Sequence, residues 1–316
     1  MQEWIVPADL HSARIDCILA KLAPQYSRSQ WAKWINAAKV HVNGHIVKPK
    51  TKIAAHTLIQ APIDQDLQCQ FISIDAPEAI PLVIVYEDDA LLVINKPAGL
   101  VVHPGAGNAQ HTLMNAILHY VPNAEQLPRA GIVHRLDKDT TGLLVIAKTL
   151  SVHTTLVRML AARQISRHYY ALVYGKVAGA GTINTCFGRH PKHRLKMAVR
   201  PQGKAAITHY KVISEYGPLT ALKIILETGR THQIRVHLAY KHWPIVGDAL
   251  YGHVGVMRAE WPDILKQTLS VFTRQALHAE HLELIHPLTQ QFMQFSAPLP
   301  QDLSVILQQL EHVYGN

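Results

Sequence analysis

Residues 131–149 read Gly-Ile-Val-His-Arg-Leu-Asp-Lys-Asp-Thr-Thr-Gly-Leu-Leu-Val-Ile-Ala-Lys-Thr, a charged turn set between two apolar runs. Ile132 and Val133 read as the end of one buried strand, and residues 143–147 as the start of another. Between them lie His134, Arg135, Asp137, Lys138, Asp139, Thr140 and Thr141, closed by Gly142, which can take positive φ at little steric cost. Such a segment commits the fold to an apolar sheet with charged groups at its rim, a common way to present an active site. An Asp in a turn often does no more than bond its own backbone, so the turn gains meaning from what accompanies it.

At 316 residues the chain has room for one large domain and a small one, and hydrophobic residues make up 48 % of it, ample for a core. No apolar run approaches the roughly 18–20 residues of a membrane span. The start, Met-Gln-Glu-Trp-Ile-Val, lacks the basic and apolar regions of a secretory signal. Cys17, Cys69 and Cys186 are odd in number and far apart, which fits a reducing cytoplasm and suggests neither a disulfide framework nor a zinc site. A net charge of +9 points to a polyanionic partner, of which nucleic acid is the commonest. The 21 histidines show no ligand spacing with supporting residues, so no metal is expected.

In residues 14–22, Ile15, Ile18, Leu19 and Leu22 repeat at helical spacing, and Pro24 and Tyr26 end that helix. Ser27 or Ser29 can cap a second helix carrying Trp31, Trp34, Ile35 and Ala38. Residues 40–47 alternate about Asn43-Gly44, the strongest short signal for a hairpin. With Arg28, Lys33, Lys39, Lys48, Lys50 and Lys52 this makes a compact basic module. The tryptophans, at helical spacing, read as core more readily than as stacking platforms. An acidic, aperiodic stretch follows, so the expected layout is a domain over 1–62, a linker over 63–80 and a second domain over 81–316.

In the second domain, strands are expected over 82–86, 91–94, 167–177, 206–213 and 219–226, and helices over 112–120 and 151–164. Residues 188–196 form a loop with four formal positive charges, a candidate for tracking phosphates together with Arg200 and Lys204. Thr228 or Thr231 can cap a helix on which His232, Arg235 and Ala239 share one face. Residues 253–272 read as an irregular insert, residues 274–289 as a hairpin, and Leu303, Ile306, Leu307 and Leu310 mark a last helix. The class is α+β.

Three strings carry a resemblance. His134-Arg135-Leu136-Asp137, two residues, then Thr140-Thr141-Gly142 resembles the signature of the RluA/RluD family of pseudouridine synthases. Asn95-Lys96-Pro97-Ala98-Gly99-Leu100 resembles that family's opening motif, and residues 229–237, Gly-Arg-Thr-His-Gln-Ile-Arg-Val-His, a further one. Tyr169 in Arg167-His168-Tyr169-Tyr170-Ala171 stands at the family's tyrosine position; the alternation alone does not choose it over Tyr170. Residues 14–60 are similar to a small RNA-binding domain known from a ribosomal small-subunit protein, the S-four domain.

The resemblance implies a mixed, largely antiparallel β-sheet catalytic domain behind a small N-terminal RNA-binding domain. It implies cleavage of the uridine N1–C1′ bond, rotation of the base and rejoining through C5. That isomerisation changes no oxidation state, so no cofactor is implied. Asp137 would be the carboxylate that attacks or stabilises C1′ or takes a proton from C2′, and a cation such as Arg235 beside it would favour the anion and fix its aim. Tyr169 would contact the base. Arg135 would fill the gap left by a flipped uridine, and His134, Arg230, His232, Arg28 and Lys33 would contact RNA; Lys96 would pair with an RNA phosphate or only cap its strand.

The string reads closest to the RluD-like branch acting on bacterial large-subunit ribosomal RNA, so that RNA or a ribosome precursor is the expected partner, for a cytoplasmic monomer. The alternatives are a sibling acting on another ribosomal site or on transfer RNA, and a non-enzymatic ribosome-assembly factor. A glycosidase using Asp137 and Asp139 fits less well, because residues two apart across a turn need not face one sugar.

Overall fold

A computed structural model describes residues 2–23, 28–61, 76–105, 108–193, 195–252 and 261–315, apart from the side chains of residues 29, 30 and 33. The chain divides into two compact units, Met1–Ser73 and Ile74–Asn316.

The first unit runs β1 (Gln2–Ile5), β2 (Ala13–Arg14), α1 (Ile15–Leu22), α2 (Arg28–Asn36), β3 (His41–Val42), β4 (His45–Ile46), β5 (Lys52–Ile53) and β6 (Leu58–Ala61). Asn43 and Gly44 take φ of 48° and 81° and turn β3 into β4, as a primed hairpin turn requires. The sheet order is β1-β6-β3-β4, with β2 and β5 paired separately. Ile15, Ile18 and Leu19 of α1 pack against Trp31, Trp34 and Ile35 of α2 in a core of their own. Trp31 is fully buried and meets Trp4 and Trp34 edge-on, so the aromatic pair is core.

The second unit comprises β7 (Ile84–Glu87), β8 (Leu91–Lys96), α3 (Leu113–Tyr120), β9 (Thr141–Ala147), α4 (Leu150–Ala161), β10 (Ser166–Tyr174), β11 (Ala180–Arg189), β12 (Met197–Val199), β13 (Lys204–Tyr216), β14 (Leu219–Leu226), α5 (Gln233–Tyr240), α6 (Asp263–Ser270), β15 (Leu277–Ile285), β16 (Phe292–Ser296) and α7 (Gln301–Tyr314). One sheet orders the strands β12-β11-β13-β14-β10-β15-β9-β8-β7, with β16 also pairing β15. Among the described residues every pairing of these strands is antiparallel except β9 with β15, where His278 faces Thr141 and Ala279 faces Gly142. The sheet is therefore mixed and largely antiparallel.

One apolar core joins α3, α6 and α7 to the sheet, and another packs α4 on β8, β9 and β15. Leu303, Ile306, Leu307 and Leu310 form the buried stripe of α7. Most of the expected linker lies outside the described residues; of its end, Ala76 and Glu78 hydrogen-bond to Asn115 of α3. Among the described residues no helix is long and apolar enough to cross a membrane.

Several local expectations change. No strand precedes the charged turn: residues 128–131 form a short 3-10 segment with Arg129 and Ala130 in left-handed conformations, and Ile132 makes only an isolated bridge to Ile146. A short apolar run is ambiguous without its partners. Neither Thr228 nor Thr231 caps α5; its N-cap is His232 at φ 58°, without a side-chain cap bond. Part of the region expected to be irregular is helical: α6 starts after Pro262 and buries Leu265 and Leu269 at i, i+4. Residues 253–260 lie outside the described residues.

Candidate active site

The charged turn between Ile132 and β9 is held from several sides. The Val145 backbone N–H donates to His134 Nε2 at 3.1 Å, tying the start of the turn to the strand that leaves it. Lys96, at the end of β8, donates to the carbonyls of Pro97, Leu100 and Lys138 at 2.7, 2.9 and 2.9 Å. Arg274 donates to the Asp139 carbonyl, Gln275 to Thr140 Oγ1, and Thr141 Oγ1 shares a hydrogen bond with His278 Nδ1. Gly142, at φ 112°, allows the turn to enter β9 beside β15; a Cβ there would stand 2.2 Å from the Ala279 carbonyl oxygen.

Asp137 projects from this turn with its side chain 13 % exposed. Arg235 Nη1, from the buried face of α5, donates to Asp137 Oδ2 at 2.9 Å. The same guanidinium donates through Nε and Nη2 to both oxygens of Asp248, at 2.7 and 2.8 Å. Asp248 also accepts the backbone N–H groups of Leu250 and Tyr251. Burial works against the charge on Arg235, and the Asp248 and Asp137 carboxylates more than offset it, raising its pKa above the ordinary value. Burial likewise opposes the charge on Asp248, yet Arg235 and the two N–H groups hold its pKa below the usual one. The result is a fixed guanidinium with one face on a resident carboxylate and one nitrogen on Asp137.

On the other oxygen, His232 Nε2 lies 3.8 Å from Asp137 Oδ1, while its Nδ1 shares a hydrogen bond with the Tyr251 hydroxyl at 2.8 Å. Burial lowers the His232 pKa, against the pull of Asp137. The Tyr251 hydroxyl accepts the Met197 N–H at 2.8 Å, and its ring lies 5.1 Å from the Arg235 guanidinium. Tyr169 is 5 % exposed in the middle of the sheet, between Ile224 and Ala279; burial raises its pKa, Arg167 opposes that and Asp137 adds to it.

Asp137, Arg235 and His232 thus meet, although they are far apart in sequence, and Tyr169 lies near enough for the Asp137 charge to act on it. Arg135 and Arg230 are exposed, and the Arg230 N–H is bound to Gln233 Oε1. Of the two readings of Lys96 the cap fits and the RNA contact does not: it is fully buried, and its donors are taken by three carbonyls that fix the turn. Burial lowers its pKa to about 7, against the pull of Asp139 and Asp137. His134 also faces inward, spending Nε2 on the Val145 backbone N–H; burial first, then Arg167, lowers its pKa to about 3.

In the first unit Arg28 is 53 % exposed and donates to buried Asp16, which also accepts from Arg14. The Lys33 side chain lies outside the described residues. Sequence reasoning assigned no role to Asp248 or Tyr251. An Asp directly after Gly247 and just before residues whose N–H groups it accepts is an Asx-turn signal, and it was available. Among the described residues no group of His, Cys, Asp or Glu is gathered closely enough to hold a metal ion.

Residues 90–240, which carry Asp137, Tyr169 and Arg235, match the RNA pseudouridylate synthase family, and residues 13–59 match the S4 domain. The chain is 46 % identical over 314 residues to a ribosomal large subunit pseudouridine synthase D of Pseudomonas aeruginosa, covering 98 % of this chain and 97 % of that one. The chain belongs to the RNA pseudouridylate synthase family. A protein of the same name from Pasteurella multocida is 48 % identical to this synthase over 302 residues, covering 95 % of this chain and 92 % of that one. Among solved structures, Human RNA Pseudouridylate Synthase Domain Containing 4 is similar with a TM-score of 0.58 and 25 % identity, over 72 % of this synthase and 93 % of that chain.

Proposed function

We propose that this synthase isomerises uridines of large-subunit ribosomal RNA, several of them in one stem-loop, with Asp137 as the carboxylate acting at ribose. The observation that carries the reading is the pairing of Asp137 with a guanidinium already anchored on Asp248, in a nearly dry site. As N1–C1′ breaks, positive charge grows at C1′, and a carboxylate of fixed aim can attack or stabilise it. The base turns, C5 bonds to C1′, a proton leaves C5 and another joins N1.

In this reading Tyr169 contacts the uracil ring, and exposed Arg135 fills the place of the flipped nucleotide. Arg230 and His232 line the entrance, and the first unit with Arg28 and Lys33 grips structured RNA. The basic connection between β11 and β12 tracks phosphates. The names of the relatives above support the large-subunit target, and three widely spaced cysteines fit a protein that works, as a monomer in this reading, in the cytoplasm.

Pseudouridine mapping of RNA from cells lacking the protein tests the target. The account expects pseudouridines of one large-subunit stem-loop to vanish, and to return with the wild-type protein but not with Asp137→Asn. Unchanged ribosomal RNA together with lost pseudouridine in transfer RNA would favour the sibling reading.

A further inference from the structure

Arg167, two residues before Tyr169 on β10, is only 7 % exposed, yet its Nε is sealed from solvent without a hydrogen-bond partner. Among the described residues its guanidinium meets no carboxylate. The other buried arginines of this unit are paired: Arg235 joins Asp137 and Asp248, and Arg274 clasps both oxygens of Asp302. A buried cation without a counter-ion is costly and is expected where an anion arrives in use.

The place where it sits narrows the anion. Arg167 is close enough to Tyr169 and His134 to shift both titrations. Its Nη1 packs on Gly229, where an added Cβ would stand 2.7 Å away. β10 and the loop before α5 therefore meet at this guanidinium, and its charge acts on His134 of the charged turn. RNA phosphates stay on a protein's surface; Arg167, 7 % exposed on the strand that carries Tyr169 and with Nη1 against the exposed Gly229 loop, suits better a base drawn in from the stack.

We propose that Arg167 binds a carbonyl oxygen of the target uracil and stabilises the uracil anion while the base is detached. This rests on the pseudouridine synthase reading of the same site. When N1–C1′ breaks, the bonding pair stays with the base and spreads over N1, O2 and O4. That holds whether Asp137 attacks C1′ or takes a proton from C2′. The pair is drawn back as C5 bonds to C1′; the C5 proton then leaves and N1 gains one. A resident carboxylate on Arg167 would compete with that anion, which accounts for its having none.

The test compares single-turnover rates on saturating stem-loop RNA carrying uridine or 5-fluorouridine, whose fluorine makes the base a better leaving anion. Cleavage is followed as loss of the parent nucleoside in digests. Arg167→Met should slow uridine RNA by about 100-fold, the scale of losing one donor to a developing anion, and slow 5-fluorouridine RNA far less. Arg167→Lys should fall between, with RNA affinity and its salt dependence unchanged. Gly229→Ala, which displaces Nη1 without removing the charge, should show the same substrate dependence.

Equal slowing on both RNAs would overturn the proposal, as would weakened binding with a shallower salt slope, the mark of a phosphate contact. If Arg167→Met does not fold, Arg167→Lys and Gly229→Ala carry the same comparison, and equal slowing there overturns it. A wild-type protein that leaves uridine unchanged would instead refute the underlying synthase reading.

Discussion

Lys96 and His237 are buried polar residues of the site's frame, and each has a measurable consequence. Lys96 satisfies three carbonyls around the charged turn. Lys96→Met should cost about 2–3 kcal/mol in urea unfolding, because buried acceptors are left unpaired, and should leave the salt dependence of RNA binding unchanged; a shallower salt slope would restore a phosphate role. His237 is fully buried between the Thr185 and Thr208 hydroxyls, and burial lowers its pKa to about 4 from 6.5. The fold holds it neutral while the unfolded chain protonates it, so its contribution is complete above pH 6.5 and lost as pH falls toward 4. The loss is about 1.4 kcal/mol per pH unit in that window, and His237→Gln, which can keep both hydroxyl partners, should flatten it. An unchanged slope in urea midpoints between pH 7 and 4 would contradict this. From sequence, Asp137 and Arg235 were legible because their strings are distinctive. The inward turn of His134 was not, and for Lys96 a phosphate contact and a strand cap stayed equally open, since one sequence does not show which side chains are sealed in.

Between elements, the parallel pairing of β9 with β15 sets the turn that carries Asp137. Sequence showed both strands but not that they are neighbours, because some 130 residues separate them and no local pattern encodes parallel register. In sequence Gly142 shows only as the close of a turn; its tighter constraint is the approach to Ala279. Gly142→Ala should cost more than about 3 kcal/mol, since a Cβ would collide with backbone at a positive φ; a urea midpoint close to wild type would show that β9 and β15 do not meet as described. The start of α5 differs from the sequence expectation for a related reason. Gln233, not a threonine, organises it, accepting from Thr228 Oγ1 and the Arg230 N–H while donating to Ile207 and Thr208. Ile207 and Thr208 sit on β13, out of reach of a capping rule read along the chain.

For the whole molecule, the two units have separate apolar cores, which is why the helix periodicity and the hairpin signal of the first were readable alone. A chain of residues 74–316 should therefore fold, bind stem-loop RNA more weakly and with a shallower salt slope, and keep its rate on saturating RNA. Unchanged affinity would remove the first unit from RNA recognition.

The claim on which the rest depends is that Asp137 works at the ribose while Arg235 holds its aim. Single-turnover release of tritium from uridine C5 of stem-loop RNA measures it directly. Wild-type protein should release the label, and Asp137→Asn should release none while binding the RNA as tightly. Release by Asp137→Asn at the wild-type rate would contradict the account.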